Sequence, residues 1–177
     1  MEFSVDPGLV RRARHDRPAM DALITQVWPE VFRVALGIVR ERASAEDAAQ
    51  EACAAIVRSL PALRDDRAFY GWMYRIAGRC AVDAAKRAAR ETSSPQESAA
   101  QPDLDGTIDL RGAIARLPVS QRTAVVLHYF AGLSSGEIAG VLGVPSPTVR
   151  FHLMLARKAL RQFLRARDAR EETVQHV

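Results

Sequence analysis

Between Glu91 and Thr107 the chain reads ETSSPQESAAQPDLDGT, and no apolar period survives there. Ser, Pro, Gln and Asp crowd the stretch, which is the composition of a flexible linker. From Glu91 to Asp109 five Asp/Glu stand without a single Lys/Arg. Such a break in a chain of 177 residues forces a division, because each flank must bury its own apolar face. We therefore expect two small domains, at 20–90 and 109–166, joined by an acidic linker at 91–108.

Both flanks read as helix. Ala, Leu, Arg and Val dominate them, and these residues suit helices. The aromatics, at 6%, and the Thr and Ile that many strands require are thin. In the first block Leu23, Val27, Val31, Val34 and Ile38 share one stripe. Pro29 falls inside it, so a kink or break is expected there. A second helix is expected to start at SAED, capped by Ser44 with Asp47 at the capping-box position. Its apolar face continues through Ala48, Ala52, Ile56 and Leu60. A third carries Phe69, Trp72 or Met73, Ile76, Cys80 and Ala84. Residues 1–19 and 165–177 read as short charged tails.

The second block predicts four helices. Leu110, Ile114 and Leu117 mark a short one ending at Pro118, and Ser120 is expected to cap the next. Ser134 and Glu137 form an S-x-x-E box, and Gly143 is placed to end the helix that box opens. Ser146 and Pro147 then start a last helix with Val149, Leu153, Ala156, Leu160 and Phe163 on its buried stripe. Two helices around Gly143-Val144-Pro145 fit a helix-turn-helix. A small bundle with a basic, solvated last helix satisfies the same pattern.

The charge distribution favours a nucleic-acid partner. The formal net charge is +4 and the pI about 9.6, and Arg150 to Arg167 holds six Lys/Arg and no Asp/Glu. If Val149, Leu153 and Ala156 face the core, then Thr148, Arg150, Phe151, Met154 and Lys158 cannot all be buried. Arg150 and Phe151 lie on the early, outward part of the helix, where groove contacts are made. Arg157, Lys158 and Arg161 are placed to neutralise phosphates. Ser134 and Ser135 sit at a helix N-terminus, a natural phosphate seat.

In the first block Phe69, Tyr70, Trp72 and Tyr74 interleave with Arg64, Arg67, Arg75 and Arg79, and Lys86, Arg87 and Arg90 follow. Rings stack on unpaired bases while cations hold the backbone, so this pattern suits single-stranded nucleic acid. Phe69, Trp72 and Ile76 also share a core stripe, which leaves only some rings free. Glu46, Asp47, Gln50 and Glu51 crowd the start of the preceding helix. Acids there complement the helix dipole, or they present an acidic face to a basic partner.

No catalytic, metal or cofactor site is expected. Cys53 and Cys80 lack metal-ligand spacing and read as small core residues of a reducing compartment. His15, His128, His152 and His176 are scattered without metal or triad spacing. No run of about 18 apolar residues suggests membrane insertion. The first twenty residues resemble no secretion signal, so a cytoplasmic protein is expected.

In this order the pieces resemble one family, the bacterial RNA polymerase sigma factors of the extracytoplasmic-function class. WPEVFRVALGIVRERASAEDAAQEACAAIVRSL followed by FYGWMYRIAGRCAVDAAKR looks like their promoter-melting domain. AIARLPVSQRTAVVLHYFAGLSSGEIAGVLGVPSPTVRFHLMLARKAL looks like their upstream-promoter domain. The resemblance spans roughly Ala22 to Leu164 and implies roles. Glu46, Asp47, Gln50, Glu51, Ala54 and Arg58 would bind the clamp helices of the largest subunit of core RNA polymerase. The flap of the second-largest subunit would hold the second domain. Arg64, Asp65, Arg67, Phe69, Trp72, Tyr74, Arg75, Arg79, Lys86 and Arg87 would read and open the start-proximal promoter element. Ser134, Ser135, Thr148, Arg150, Phe151, Met154, Arg157 and Lys158 would meet the upstream element as duplex. The family implies a monomer when free, with an anti-sigma factor as a possible further partner.

The chain departs from the family at two places. Its reading helix runs TVRFHLMLARKAL where the family often runs T-V-K-S-R-L-H-R-A-R-K-A-L. Phe151 replaces a small polar residue, and His152 and Leu155 replace cations. Phe151 or Met154 can meet a thymine methyl group, and with fewer cations the helix attracts phosphate less, so an upstream element richer in A·T than the family norm, or greater dependence on another protein, is expected. Gly78 and Arg79 stand where the family often has a basic residue and asparagine, and Gly78 costs about 1 kcal/mol of helix propensity relative to alanine. The alternatives are a stand-alone helix-turn-helix regulator and a sigma-like interaction module that does not itself initiate transcription.

Overall fold

The computed structural model describes residues 4–91 and 110–174, with side chains from 4–90 and 110–165. The expected linker lies outside the described residues. Among these residues there is no strand, and eight α-helices follow in order. They are α1 (Pro7–Ala13), α2 (Arg17–Val39), α3 (Arg42–Ser59), α4 (Phe69–Glu91), α5 (Leu110–Ala115), α6 (Val119–Val125), α7 (Ser135–Leu142) and α8 (Ser146–Val174).

The first block is a bundle around α2. Leu23, Val27, Val31, Val34 and Ile38 are completely buried, against α3 and α4. Their spacing puts all five on one face. By length and hydropathy α2 could cross a bilayer, but here its apolar stripe is the core of a bundle. The helix runs on through Pro29 instead of ending there. The missing amide leaves one carbonyl without its partner. Val27 and Val31, buried on either side, hold the segment in place.

Three local expectations are corrected. Glu41, not Ser44, caps α3, accepting from the amide of Ala43 at 2.8 Å and also from that of Ser44. The Ser44 hydroxyl and those two amides hold the Glu41 carboxyl below its ordinary value. Ser120 lies inside α6, which begins at Val119 after Pro118. The N-terminal tail is helix α1, and Val5, Leu9, Val10 and Ala13 bury its apolar side. At the other end α8 continues to Val174.

The second block behaves as its capping chemistry dictates. Ser134 accepts from the Glu137 amide while the Glu137 carboxylate accepts from the Ser134 amide, at 3.3 and 2.9 Å. Gly143 closes α7 with φ 69°, in the left-handed region that glycine tolerates best. Val149, Leu153 and Ala156 of α8 are buried beneath α6 and α7. After α6 the chain makes a single π-turn, Val126–Phe130. That turn carries Val126 and Leu127 into the core, and His128 Nδ1 lies 3.0 Å from the Leu133 carbonyl.

Cys53 is buried and Cys80 half-buried, and both are free thiols. Burial pushes the Cys53 thiol up to about 11, so it stays protonated and packs as a small apolar group.

Ile56 is completely buried in α3, whereas Val57 is exposed. Ile56→Ala is expected to cost about 2–5 kcal/mol, and Val57→Ala within about 0.5 kcal/mol. Urea unfolding followed by circular dichroism checks both.

Candidate functional site

Three surfaces carry the expected functional residues. The first is the outward side of α3. Asp47, Gln50, Glu51, Ala54 and Arg58 are all exposed, and their spacing sets them along one stripe. Because α3 begins at Arg42, its first turn holds no acid. Glu46 and Asp47 therefore lie beyond the first turn, where the dipole has lost most of its effect. Glu46 is half-buried and pairs with Arg42 at 3.0 Å. Glu51 pairs with Arg87 of α4 at 3.0 Å, and this pairing raises the Arg87 guanidinium above its ordinary value.

The second surface is the loop before α4 and α4 itself. Arg64, Asp65, Arg67, Arg79, Lys86 and Arg87 are exposed, and Trp72 and Arg75 are half-buried. Asp65 accepts from the Arg67 amide at 2.9 Å and starts a 3-10 turn, Asp66–Ala68. Sequence reasoning passed over Asp66, which anchors this loop to α1. Arg14 pairs with its carboxylate, and Arg11 reaches it at 3.3 Å. Tyr70 adds a second tie, because its hydroxyl bonds to the Val5 backbone. A basic run in an apparent tail was the only signal of this brace.

Two expected DNA contacts are withdrawn. Phe69 is 1% exposed and Tyr74 is buried as well. Phe69 packs into the bundle core, and Tyr74 donates to Glu30 Oε2 at 3.3 Å. Burial first, and then the Glu30 carboxylate, push the Tyr74 phenol above its ordinary range. Phe69 lies on the inward side of α4 with Met73, Ala77 and Ala81, so its ring supports the helix from below.

The third surface is the outward face of α8. Arg150, Phe151, Met154, Arg157 and Lys158 are exposed, and Thr148 is half-buried. Phe151 is 53% exposed and Met154 50%. Spaced three apart, they form one apolar patch flanked by cations. Arg150 donates to Ser146 Oγ at 3.2 Å, and Arg157 donates back to the Leu153 carbonyl at 3.2 Å. His152 is half-buried, and its buried Nδ1 has no hydrogen-bond partner.

The expected phosphate seat at α7 already holds an anion. The Glu137 carboxylate accepts from both the Ser134 amide and hydroxyl. Those bonds, backbone first, hold Glu137 below its ordinary value. A phosphate there would meet a carboxylate. Ser134 is exposed and Ser135 half-buried, so their reach is toward solvent beside that charge.

A fourth feature escaped sequence reasoning. Leu110, Ile114, Val125, Tyr129, Leu160 and Leu164 line an apolar groove rimmed by Arg157 and Arg161. Leu110, Tyr129 and Leu164 remain exposed. The groove draws on α5, α6, its π-turn and α8, so no single helical period displays it.

The fold is a helical bundle followed by a helix-turn-helix with a basic outward face, and comparison with known proteins specifies its family. The model of sigma-70 region 2 matches residues 23–91, and that of sigma-70 region 4 matches residues 107–160. The RNA polymerase sigma-H factor of Pseudomonas aeruginosa is 32% identical, over 88% of this chain and 91% of its own. The ECF RNA polymerase sigma factor SigM of Mycobacterium tuberculosis is 34% identical, over 84% and 79%. The chain belongs to the sigma-70 family, in its extracytoplasmic-function class, and directs RNA polymerase to promoters in transcription initiation. Among solved structures, CnrH in complex with the cytosolic domain of CnrY aligns with a TM-score of 0.63. It is 23% identical and covers 91% of this chain and 97% of its own. The sigma factor RpoE in complex with the anti-sigma factor NepR from Bartonella quintana aligns at 0.62, with 19% identity, 82% of this chain and 96% of its own.

Ser134→Ala removes the cap of α7 and is expected to cost about 1 kcal/mol. Because the folded state lowers the Glu137 pKa, that carboxylate stabilises above its ordinary value of 4.5. Its contribution is lost as pH falls through the lower folded value. The gap between wild type and variant should narrow from neutral pH to about pH 3, as read by thermal unfolding.

Proposed function

We propose that the three exposed surfaces divide the work of initiation. The α3 stripe of Asp47, Gln50, Glu51, Ala54 and Arg58, with Glu46 at its side, seats the clamp helices of the largest polymerase subunit. The loop from Leu63 to Ala68 and the outward side of α4 read and open the start-proximal element, through Arg64, Asp65, Arg67, Trp72, Arg75, Arg79, Lys86 and Arg87. A flipped base costs a few kcal/mol in lost stacking, and a braced loop offers a rigid pocket edge to offset it. The outward face of α8 enters the major groove of the upstream element. The apolar groove between α5 and α8 takes the flap of the second-largest subunit. The protein does no covalent chemistry, works in the cytoplasm and is a monomer when free. The two solved structures described above are both complexes, one of them with a named anti-sigma factor, which supports an anti-sigma partner here.

The observation that carries this reading is the outward stripe of α3. It offers Asp47 and Glu51 beyond the first helical turn, both on the exposed side and outside the core. Wild type is expected to co-migrate with core RNA polymerase, and the Asp47→Arg, Glu51→Arg double variant to lose it. A folded wild type that fails to co-migrate would overturn the assignment.

For α8 the exposed Phe151 and Met154 favour contact with thymine methyl groups. Replacing thymine by deoxyuridine in the upstream element should lower holoenzyme affinity several-fold, and Phe151→Ser, Met154→Ser should erase that difference. Equal binding of both DNAs by wild type would exclude the methyl contact.

A further inference from the structure

The loop between α3 and α4 is held at few points. Leu60 and Phe69 are buried at its two ends. Between them only Leu63 and Asp66 are half-buried, and every other residue is exposed. Leu63 packs against the bundle core. The Asp66 carboxylate instead takes its partners, Arg11 and Arg14, from α1. Backbone bonds inside the loop are short-range. The Leu63 amide donates to the Leu60 carbonyl at 3.0 Å, and the Ala68 amide to the Asp65 carbonyl at 3.1 Å. Such bonds close two 3-10 turns, Leu60–Ala62 and Asp66–Ala68. They do not fix how the second turn sits on the bundle.

The Arg14–Asp66 pair does. Its side chains are 15% and 17% exposed, and no other ion pair among the described residues has both partners so enclosed. Arg14 Nε is buried without a partner, and Asp66 is the one acceptor its guanidinium has among the described residues. Removing either partner leaves the other charge enclosed and unpaired, which favours a displaced loop. Arg11 is largely exposed and adds little by itself. The support under the loop is firm, because Val5, Leu9, Val10 and Ala13 bury one side of α1. The Tyr70 hydroxyl both accepts from the Val5 amide and donates to the Val5 carbonyl. Helix α1 also lies before residues 23–91, the segment that the sigma-70 region 2 model matches.

We propose that Arg14 is a positioning residue for promoter recognition: through Asp66 it sets where Arg64 and Arg67 stand, and α1 thereby determines how strictly the start-proximal element is read. The proposal rests on the role given above to the loop. Arg64 and Arg67 flank Asp66 in sequence, are exposed, and enter no ion pair among the described residues. Discrimination among bases requires the reading groups to be held within about 0.5 Å of their productive place. A loosened loop still attracts phosphate, which carries no sequence information. It loses the difference between right and wrong bases.

Two variants test this, Arg14→Met, which keeps the stem and removes the charge, and Asp66→Asn, which keeps the shape. Circular dichroism and thermal unfolding first establish that each is folded, and Asp66→Asn carries the test if Arg14→Met is not. Holoenzyme is assembled with core RNA polymerase on a promoter that the wild type selects from a randomised library. The readout is the ratio of open-complex formation on that promoter to formation on single-base changes in each element. Both variants are expected to lose several-fold of the start-proximal discrimination, mainly by accepting wrong bases. Discrimination at the upstream element and co-migration with polymerase should be unchanged. Arg14→Lys should retain most of the wild-type ratio, and the double variant should lose no more than the worse single. Folded variants that discriminate as the wild type does would overturn the proposal, and so would equal losses at both elements. Arg64→Ala, Arg67→Ala separates the two readings. Unchanged discrimination in that double variant removes the loop as reader, and this inference with it. Loss there without loss in Arg14→Met overturns the positioning role alone.

Discussion

The burial of one apolar stripe on α2 underlies the whole arrangement. Leu23, Val27, Val31, Val34 and Ile38 are completely enclosed, and α3 and α4 are placed by packing against them. Each fully buried aliphatic side chain contributes about 1.5–3 kcal/mol by removal from water. That burial keeps the helix going through Pro29. The same helix ends at Ile38 and Val39, where Arg122 of the second block takes up a carbonyl. The element that makes the first core also meets the second.

The surfaces proposed for function are the sides that α2 leaves free. Packing the inner face of α3 on α2 turns Asp47, Gln50, Glu51, Ala54 and Arg58 outward. Packing Phe69, Met73, Ala77 and Ala81 of α4 inward turns Arg79, Lys86 and Arg87 outward. In the second block Val149, Leu153 and Ala156 play the same part for Arg150, Phe151, Met154 and Lys158. Each surface is the geometric complement of a buried stripe. Substitution on the inner face is therefore read first as stability, and on the outer face first as recognition.

The buried Arg122 joins the two blocks with a single side chain. Its guanidinium has five donors and no acceptor, and three carbonyls from both sides of the seam receive it. Burial first, and then Arg40, push it down to about 10, so at neutral pH it remains charged. A cation that bonds only to carbonyls holds the seam by geometry, without an acid partner to compete for it.

Much of this was legible in the sequence, for local reasons. The helical period identified the α2 stripe and Val149, Leu153 and Ala156 of α8, because side chains three and four apart must share a face, whereas Leu160 and Phe163, expected on the same stripe, are only half-buried. The S-x-x-E box and Gly143 marked both ends of α7, because capping is chemistry between near neighbours. The exposed patch of Phe151 and Met154 followed by elimination from that same period. What the sequence left open was set by contacts between residues far apart in the chain. Phe69 and Tyr74 sit in an aromatic and basic run, and only packing against α2 and Glu30 decides that they turn inward. Asp66 gained meaning from Arg11 and Arg14, 55 and 52 residues away. The groove of the second block needs four segments at once. Gly78 read as an unexplained cost in one helix until Leu127 and Val141 arrived beside it. Periodicity and capping are properties of a segment, so the sequence by itself determines them. Burial against a distant partner depends on how segments come together, and only the tertiary structure decides it.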